Sequence, residues 1–162
     1  MPFGFGSGGG VIFGVTGGVT EAVLRRLQQG HNRVDMESIK KSGVRGDDGI
    51  KVLTYNYNGR EIKAAVVNGL ANADKVLQQI KNHEAEYDFV EVMACRRGCI
   101  MGGGQPVNAG PRTRKARMKG LYDTDVNTQI KKSNENPMIL SLYDTLLKGK
   151  EHELLHRNFS GK

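Results

Sequence analysis

The chain has 162 residues, of which 38% are hydrophobic and only 6% aromatic, with no tryptophan. That is enough for one domain with a core of small aliphatic side chains. No apolar run reaches the roughly 18 residues of a membrane span, and the start lacks the basic opening and cleavage site of a signal peptide, so a soluble, cytoplasmic protein is expected. A formal charge of +7 raises nucleic acid, a membrane surface and an acidic protein as partners to weigh.

Residues 1–10 are low in complexity and read as a flexible, glycine-rich start. A formal G-x-G-x-x-G lies here, but no strand precedes it, which argues against a dinucleotide site. Val11-Ile12-Phe13-Gly14 is a short apolar run. A helix follows, with Val19, Ala22, Val23 and Leu27 on one face, Glu21 in its first turn and Gly30 as its stop. The glycines before it either permit close packing or open a helix N-terminus to an anionic group.

Two or three strands come next. Residues 32–39 form a candidate first strand, and residues 51–57 and 61–67 flank Asn58-Gly59, a strong hairpin signal. Leu70, Ala73, Val76, Leu77 and Ile80 mark an amphipathic helix reaching about His83. Residues 89–93 then read as a buried strand. Strand, helix and strand in this order imply a right-handed crossover and a parallel pair, with ligands gathering at the carboxyl ends. The expected fold is α/β: a small mixed sheet of four or five strands with packed helices, in a single domain over residues 1–162.

The last of these strands runs into Cys95, Arg96, Arg97, Gly98 and Cys99, and three consecutive glycines, Gly102, Gly103 and Gly104, follow before Pro106. Both cysteines of the chain are here. Alone, a C-x3-C pair is either two inert thiols or part of a soft-metal or iron–sulfur site. A disulfide is disfavoured without a secretion signal. The glycine run implies a sharp turn or a close approach to a bound group.

Residues 107–162 read as a helical C-terminal segment, with helices over residues 112–120 and, after a break, 122–133. Arg112, Arg114, Lys115, Arg117 and Lys119 form either a solvated face or a docking surface for an acidic redox carrier. Nucleic acid fits poorly because no aromatic residues are interleaved. Asn136 and Pro137 make a good helix start, with Ile139, Leu140, Tyr143, Leu146 and Leu147 as the apolar stripe. His152 and His156 stand at i, i+4 spacing, with no third ligand near them in sequence.

The run from Met93-Ala94-Cys95 through Cys99 to Gly102-Gly103-Gly104-Gln105-Pro106 resembles the third cluster-binding motif of the iron-only (FeFe) hydrogenases and their hydrogenase-like relatives. Residues 10–22, 131–137 and 151–156 resemble further segments of that family, in the same order. The resemblance implies one lobe of the iron hydrogenase large-subunit fold plus C-terminal helices. It also implies that Cys95 and Cys99 are two of the four thiolate ligands of a 4Fe–4S cluster, with Cys99 bridging to a di-iron site to make the H-cluster. Met93, Phe13 and Val19 match positions walling that site, and the backbone of Gly102, Gly103 and Gly104 would wrap the cluster.

Two departures stand out. The family usually has small or neutral residues where this chain has Arg96 and Arg97. Its first two cysteine motifs are absent, so the H-cluster would need a partner: the missing N-terminal part, or a second hydrogenase subunit. The isolated chain is then expected to be inactive. The alternative is a non-catalytic, hydrogenase-derived protein that binds a partner or an iron–sulfur cluster. No nucleic acid and no membrane partner is expected.

Overall fold

The computed structural model describes residues 5–30, 33–46, 48–107 and 110–156. The Ser7 hydroxyl accepts the Gly10 N–H at 3.2 Å and opens a single helical turn, α1 (Gly8–Val11). Gly8 and Gly9 donate their N–H groups to the carbonyls of Ile130 and Lys131 at 2.8 and 3.0 Å. A Cβ at Gly8 would lie 2.0 Å from Asp125 Oδ1, so glycine lets this turn lie against the C-terminal segment. Ser7, Gly8 and Gly9, expected in a flexible start, are thus buried and hydrogen-bonded; residues 1–4 lie outside the described residues.

A 3-10 turn, Ile12–Gly14, leads to Gly17, whose φ of 88° sets up α2 (Gly18–Leu27). The segment expected as a first strand does not pair, and its Asn32 lies outside the described residues. Instead the Asp35 carboxylate accepts the N–H groups of Glu37 and Ser38 at 3.0 and 3.1 Å and starts α3 (Met36–Lys41). A good N-cap outweighed a weak alternation of apolar residues.

The hairpin forms where the turn chemistry asks for it. Asn58 and Gly59 take φ of 52° and 80°, a left-handed pair that suits the twist of the strands it joins. They connect β1 (Ile50–Tyr57) antiparallel to β2 (Arg60–Asn68). From Gly69 the chain enters α4 (Leu70–Lys81) and returns to β3 (Phe89–Met93), parallel to β2. Among the described residues the sheet has three strands in the order β1-β2-β3, not four or five. β3 is therefore an edge, and it is not buried throughout: Glu91 and Met93 face inward while Val92 is 47% exposed.

Helices cover both faces. Leu53, Ala64 and Val66 pack with Leu24, Ile39 and Val44 on one side; Ala65 and Val67 pack with Ala73 and Val76 of α4 on the other. Each fully buried valine here contributes on the order of 1.5–3 kcal/mol relative to exposure. A third cluster joins Ile12, Val15 and Ile100 to Met118 and Leu121.

Those last two residues sit on α5 (Pro111–Asn127), which runs unbroken where a break after Gly120 was expected. The packing of Leu121 holds the helix through its glycine, and the Thr124 hydroxyl donates to the Gly120 carbonyl at 2.8 Å. Asn136 caps α6 (Pro137–Asp144) as expected, accepting the Met138 N–H at 2.9 Å. Of the apolar stripe expected there, Leu147 is buried but Leu140, Tyr143 and Leu146 are exposed. Gly149, at φ 73°, precedes α7 (Glu151–Leu155). No helix among the described residues is long and apolar enough to cross a membrane.

Candidate functional site

Cys95 follows the carboxyl end of β3, and both it and Cys99 are free and exposed. The loop between them is set by Gly98, at φ 79°, whose N–H donates to the Cys95 carbonyl at 3.0 Å. A Cβ at Gly98 would lie 2.8 Å from the Gly14 carbonyl oxygen and 3.1 Å from the Thr16 nitrogen. Glycine is thus what allows the thiol loop to dock on the backbone of the Gly14–Thr16 segment.

Two further contacts fix the loop. Ile100 is buried against Ile12 and Val15. Arg117 of α5 donates to the carbonyls of Ile100 and Pro106 at 2.8 and 3.3 Å. One member of the basic run is therefore structural. Gly102 lies beside Cys95, where an added Cβ would be 3.4 Å from the sulfur. With Gly103 and Gly104 it lines an open concavity of about 390 Å³ that Arg117 also borders.

Sequence reasoning missed Glu91. It is 4% exposed on β3, and its carboxylate accepts the Gly17 N–H at 2.8 Å and the Thr20 N–H and hydroxyl at 2.7 Å each. It caps α2, and the partial positive charge of the helix start favours it there. Its signal was a lone acid inside an apolar strand, since a buried carboxylate needs donors. Met93 is 9% exposed and lies two residues beyond Glu91, hence on the same face of β3. The strand ends at Met93, so its alternation of faces does not continue to Cys95.

The faces of α2 are exchanged relative to the sequence reading. Thr20, Glu21, Leu24 and Arg25 face the protein. Arg25 is fully buried, with bidentate bonds to Asp125 at 2.7 Å each and a bond to Glu21 at 2.6 Å. Burial opposes its charge, but the bonds to Asp125 and Glu21 raise its pKa overall. Arg45 adds bonds to Glu21 at 2.7 and 2.8 Å and lies 4.0 Å over the Tyr122 ring. Burial, and then the negative charge of Glu21, push the Tyr122 hydroxyl up to about 12.

The apolar residues Val19, Ala22, Val23 and Leu27 line an open groove of about 330 Å³ instead, together with Phe13, Lys131 and Lys132. Phe13 is 46% exposed. Phe13 and Val19, picked out from sequence as walls of one site, thus share a groove. The thiol loop docks directly after Phe13, on Gly14 to Thr16. Lys132, buried at its edge, donates to the carbonyls of Gln28 and Gly30 at 2.6 and 2.9 Å and so closes the end of α2.

Thiolates are the preferred donors to iron–sulfur clusters, and two on one loop fit half of a four-ligand set. Among the described residues no group of three or more His, Cys, Asp and Glu converges to complete it. His152 and His156 stack with ring centroids 5.0 Å apart, without a third ligand.

Residues 1–103 match the family described as the iron only hydrogenase large subunit, C-terminal domain, and residues 111–162 match the iron hydrogenase small subunit. Iron hydrogenase 1 of Clostridium pasteurianum is 38% identical over 93% of this chain, which spans 28% of that protein. A cytosolic Fe–S cluster assembly factor of Aedes aegypti, described as probable, is 27% identical over 89% of the chain and is spanned to 31% of its length. The structure of an FeFe-hydrogenase variant from Chlamydomonas reinhardtii superposes over 98% of this chain and 48% of its own, with a TM-score of 0.63 and 35% identity. The chain thus spans less than half the length of each of these proteins.

Proposed function

The chain belongs to the iron-only hydrogenase large-subunit family, in the region of its C-terminal domain, and on that premise we propose that it is the C-terminal part of an FeFe hydrogenase. It contributes Cys95 and Cys99 as two thiolate ligands of the H-cluster, and an upstream part or a second subunit contributes the rest. When bound, the 4Fe–4S cluster and its di-iron site would supply the electrons and the centre at which protons and H2 interconvert. The residues of this chain position and shelter it. Gly98 anchors the thiol loop, Arg117 holds its far end, Met93, Phe13 and Val19 wall the di-iron side, and Gly102, Gly103 and Gly104 leave the backbone room to approach.

The observation that carries this reading is the inverted α2. Glu21 and Arg25 are buried, while Val19, Ala22, Val23 and Leu27 line an open groove with Phe13, the residue just before the segment on which the thiol loop docks. A helix exposes such a stripe when another surface is meant to cover it. The open edge at β3 adds a second surface of the same kind. The isolated chain is accordingly expected to self-associate, or to bind its complement tightly. A monomer over a wide concentration range would count against a missing cover.

The test is anaerobic co-expression with a polypeptide carrying the missing cysteine motifs and addition of a synthetic di-iron complex, followed by iron analysis, EPR and hydrogen evolution from reduced viologen. The pair should hold a cubane and turn over, Cys99→Ser should abolish both, and the isolated chain should do neither. Turnover by the isolated chain reconstituted with iron, sulfide and a synthetic di-iron complex, above that of the free complex, would defeat the proposal.

The similarity to a cytosolic Fe–S assembly factor supports a second reading, a non-catalytic cluster-binding relative. The higher identity to Iron hydrogenase 1 supports the hydrogenase reading over this one. A co-expressed complex that holds a cluster yet evolves no hydrogen would favour it.

A further inference from the structure

Thr16 ends the segment on which the thiol loop docks, and it is 2% exposed. Among the described residues its hydroxyl has no hydrogen-bond partner. The N–H groups on either side are paired: Val15 donates to the Ile12 carbonyl at 3.1 Å, and Gly17 donates to Glu91 at 2.8 Å. A buried hydroxyl without a partner is costly, and such a group is tolerated where a bound species supplies the missing acceptor.

What lies against Thr16 is the residue before Cys99. A Cβ at Gly98 would sit 3.1 Å from the Thr16 nitrogen and 3.3 Å from the Val15 Cα. The Cys95 sulfur lies beside Gly102 instead, 3.4 Å from where a Cβ would stand. A neutral thiol is a weak acceptor, so Cys99 as a free thiol offers the hydroxyl little. Bound to iron, the same sulfur is an anionic thiolate and a far stronger acceptor. We propose that Thr16 is a positioning residue for the cluster, its hydroxyl donating to the Cys99 thiolate once that sulfur is ligated, an assignment that rests on the hydrogenase reading. The bond orients the ligand. It also favours the more negative, reduced cluster and so raises its potential, which depends on hydrogen bonds to the sulfurs.

The test compares Thr16→Val, which keeps the shape and removes the hydroxyl, with Thr16→Ser, which keeps the hydroxyl. In urea the isolated Val variant should be at least as stable as the parent, because it loses an unpaired polar group. In the complex co-expressed with the missing cysteine motifs, potentiometric EPR should find the cubane harder to reduce in the Val variant. The ratio of reduced to oxidised cluster at a given potential should fall about tenfold, or about 59 mV for a one-electron couple. The Ser variant should restore it. Loss of the cluster from the Val variant alone would support the same assignment. A lower urea midpoint for Thr16→Val would show that the hydroxyl is already satisfied within the chain, and would overturn it. So would an unmoved potential, or an equal change or loss in both variants. A parent complex that holds no cluster would instead bring down the hydrogenase reading, and this assignment with it.

Discussion

Glu91 on the strand that leads to Cys95 accepts both the N–H and the hydroxyl of Thr20, so that strand also holds the start of the helix lining the apolar groove. One buried carboxylate therefore couples the two surfaces assigned to the cluster. Glu91→Ala leaves buried donors on Gly17 and Thr20 unpaired and should cost about 2–4 kcal/mol, while Thr20→Val should cost about 1 kcal/mol. Urea denaturation with unchanged m-values would check both. A loss under about 0.5 kcal/mol for Glu91→Ala would show that α2 does not depend on this cap.

Gly98→Ala tests the docking of the thiol loop. The backbone there is left-handed, and a Cβ would meet the Gly14 carbonyl oxygen at 2.8 Å. A loss of about 1–3 kcal/mol is expected. In the co-expressed complex, iron content should fall as well, because the cysteines lose their anchor. Full iron content in the variant would argue that the loop is shaped by its ligand rather than by Gly98.

Asp125→Asn probes the buried ion network. Arg25 is fully buried and takes both oxygens of Asp125. Removing one partner of such a pair leaves a charge uncompensated, at a cost of roughly 3–5 kcal/mol. Thermal unfolding would read the change. Replacing Arg25 by Met in the Asp125→Asn background should restore part of the loss, whereas strict additivity would deny the coupling.

Tyr122 gives a pH dependence. Its hydroxyl is raised from 10.0 to about 12 in the folded chain, so above pH 10 the unfolded chain releases this proton first. The stabilisation is complete below pH 10 and is lost as pH rises towards 12, by roughly 2 kcal/mol over that window. Tyr122→Phe should flatten this part of the stability profile. An unchanged slope in the variant would assign the loss to other groups.

Much of the architecture was local and could be read directly. Asn58-Gly59 specifies its turn because both residues tolerate positive φ. The apolar spacing of α4 and the apolar run before Cys95 imply the parallel crossover, and Asn136 with Pro137 marks the start of α6. The cysteine pair and the glycines after it were legible as a site because thiols and consecutive glycines have few other uses together.

What the tertiary structure decided is which surfaces are inside. The stripe of Val19, Ala22, Val23 and Leu27 has the periodicity of a core-facing helix, yet it lines an open groove, and Glu21 and Arg25 occupy the core side. Arg25 can be buried only because Asp125, 100 residues away, supplies both oxygens, and no local pattern announces that pairing. The same holds for Glu91 and Thr20, 71 residues apart, and for Gly98 against Gly14. Periodicity records that a face is apolar. Whether this chain or another surface covers that face depends on long-range charge pairing and backbone contact, which exist only once the chain has folded.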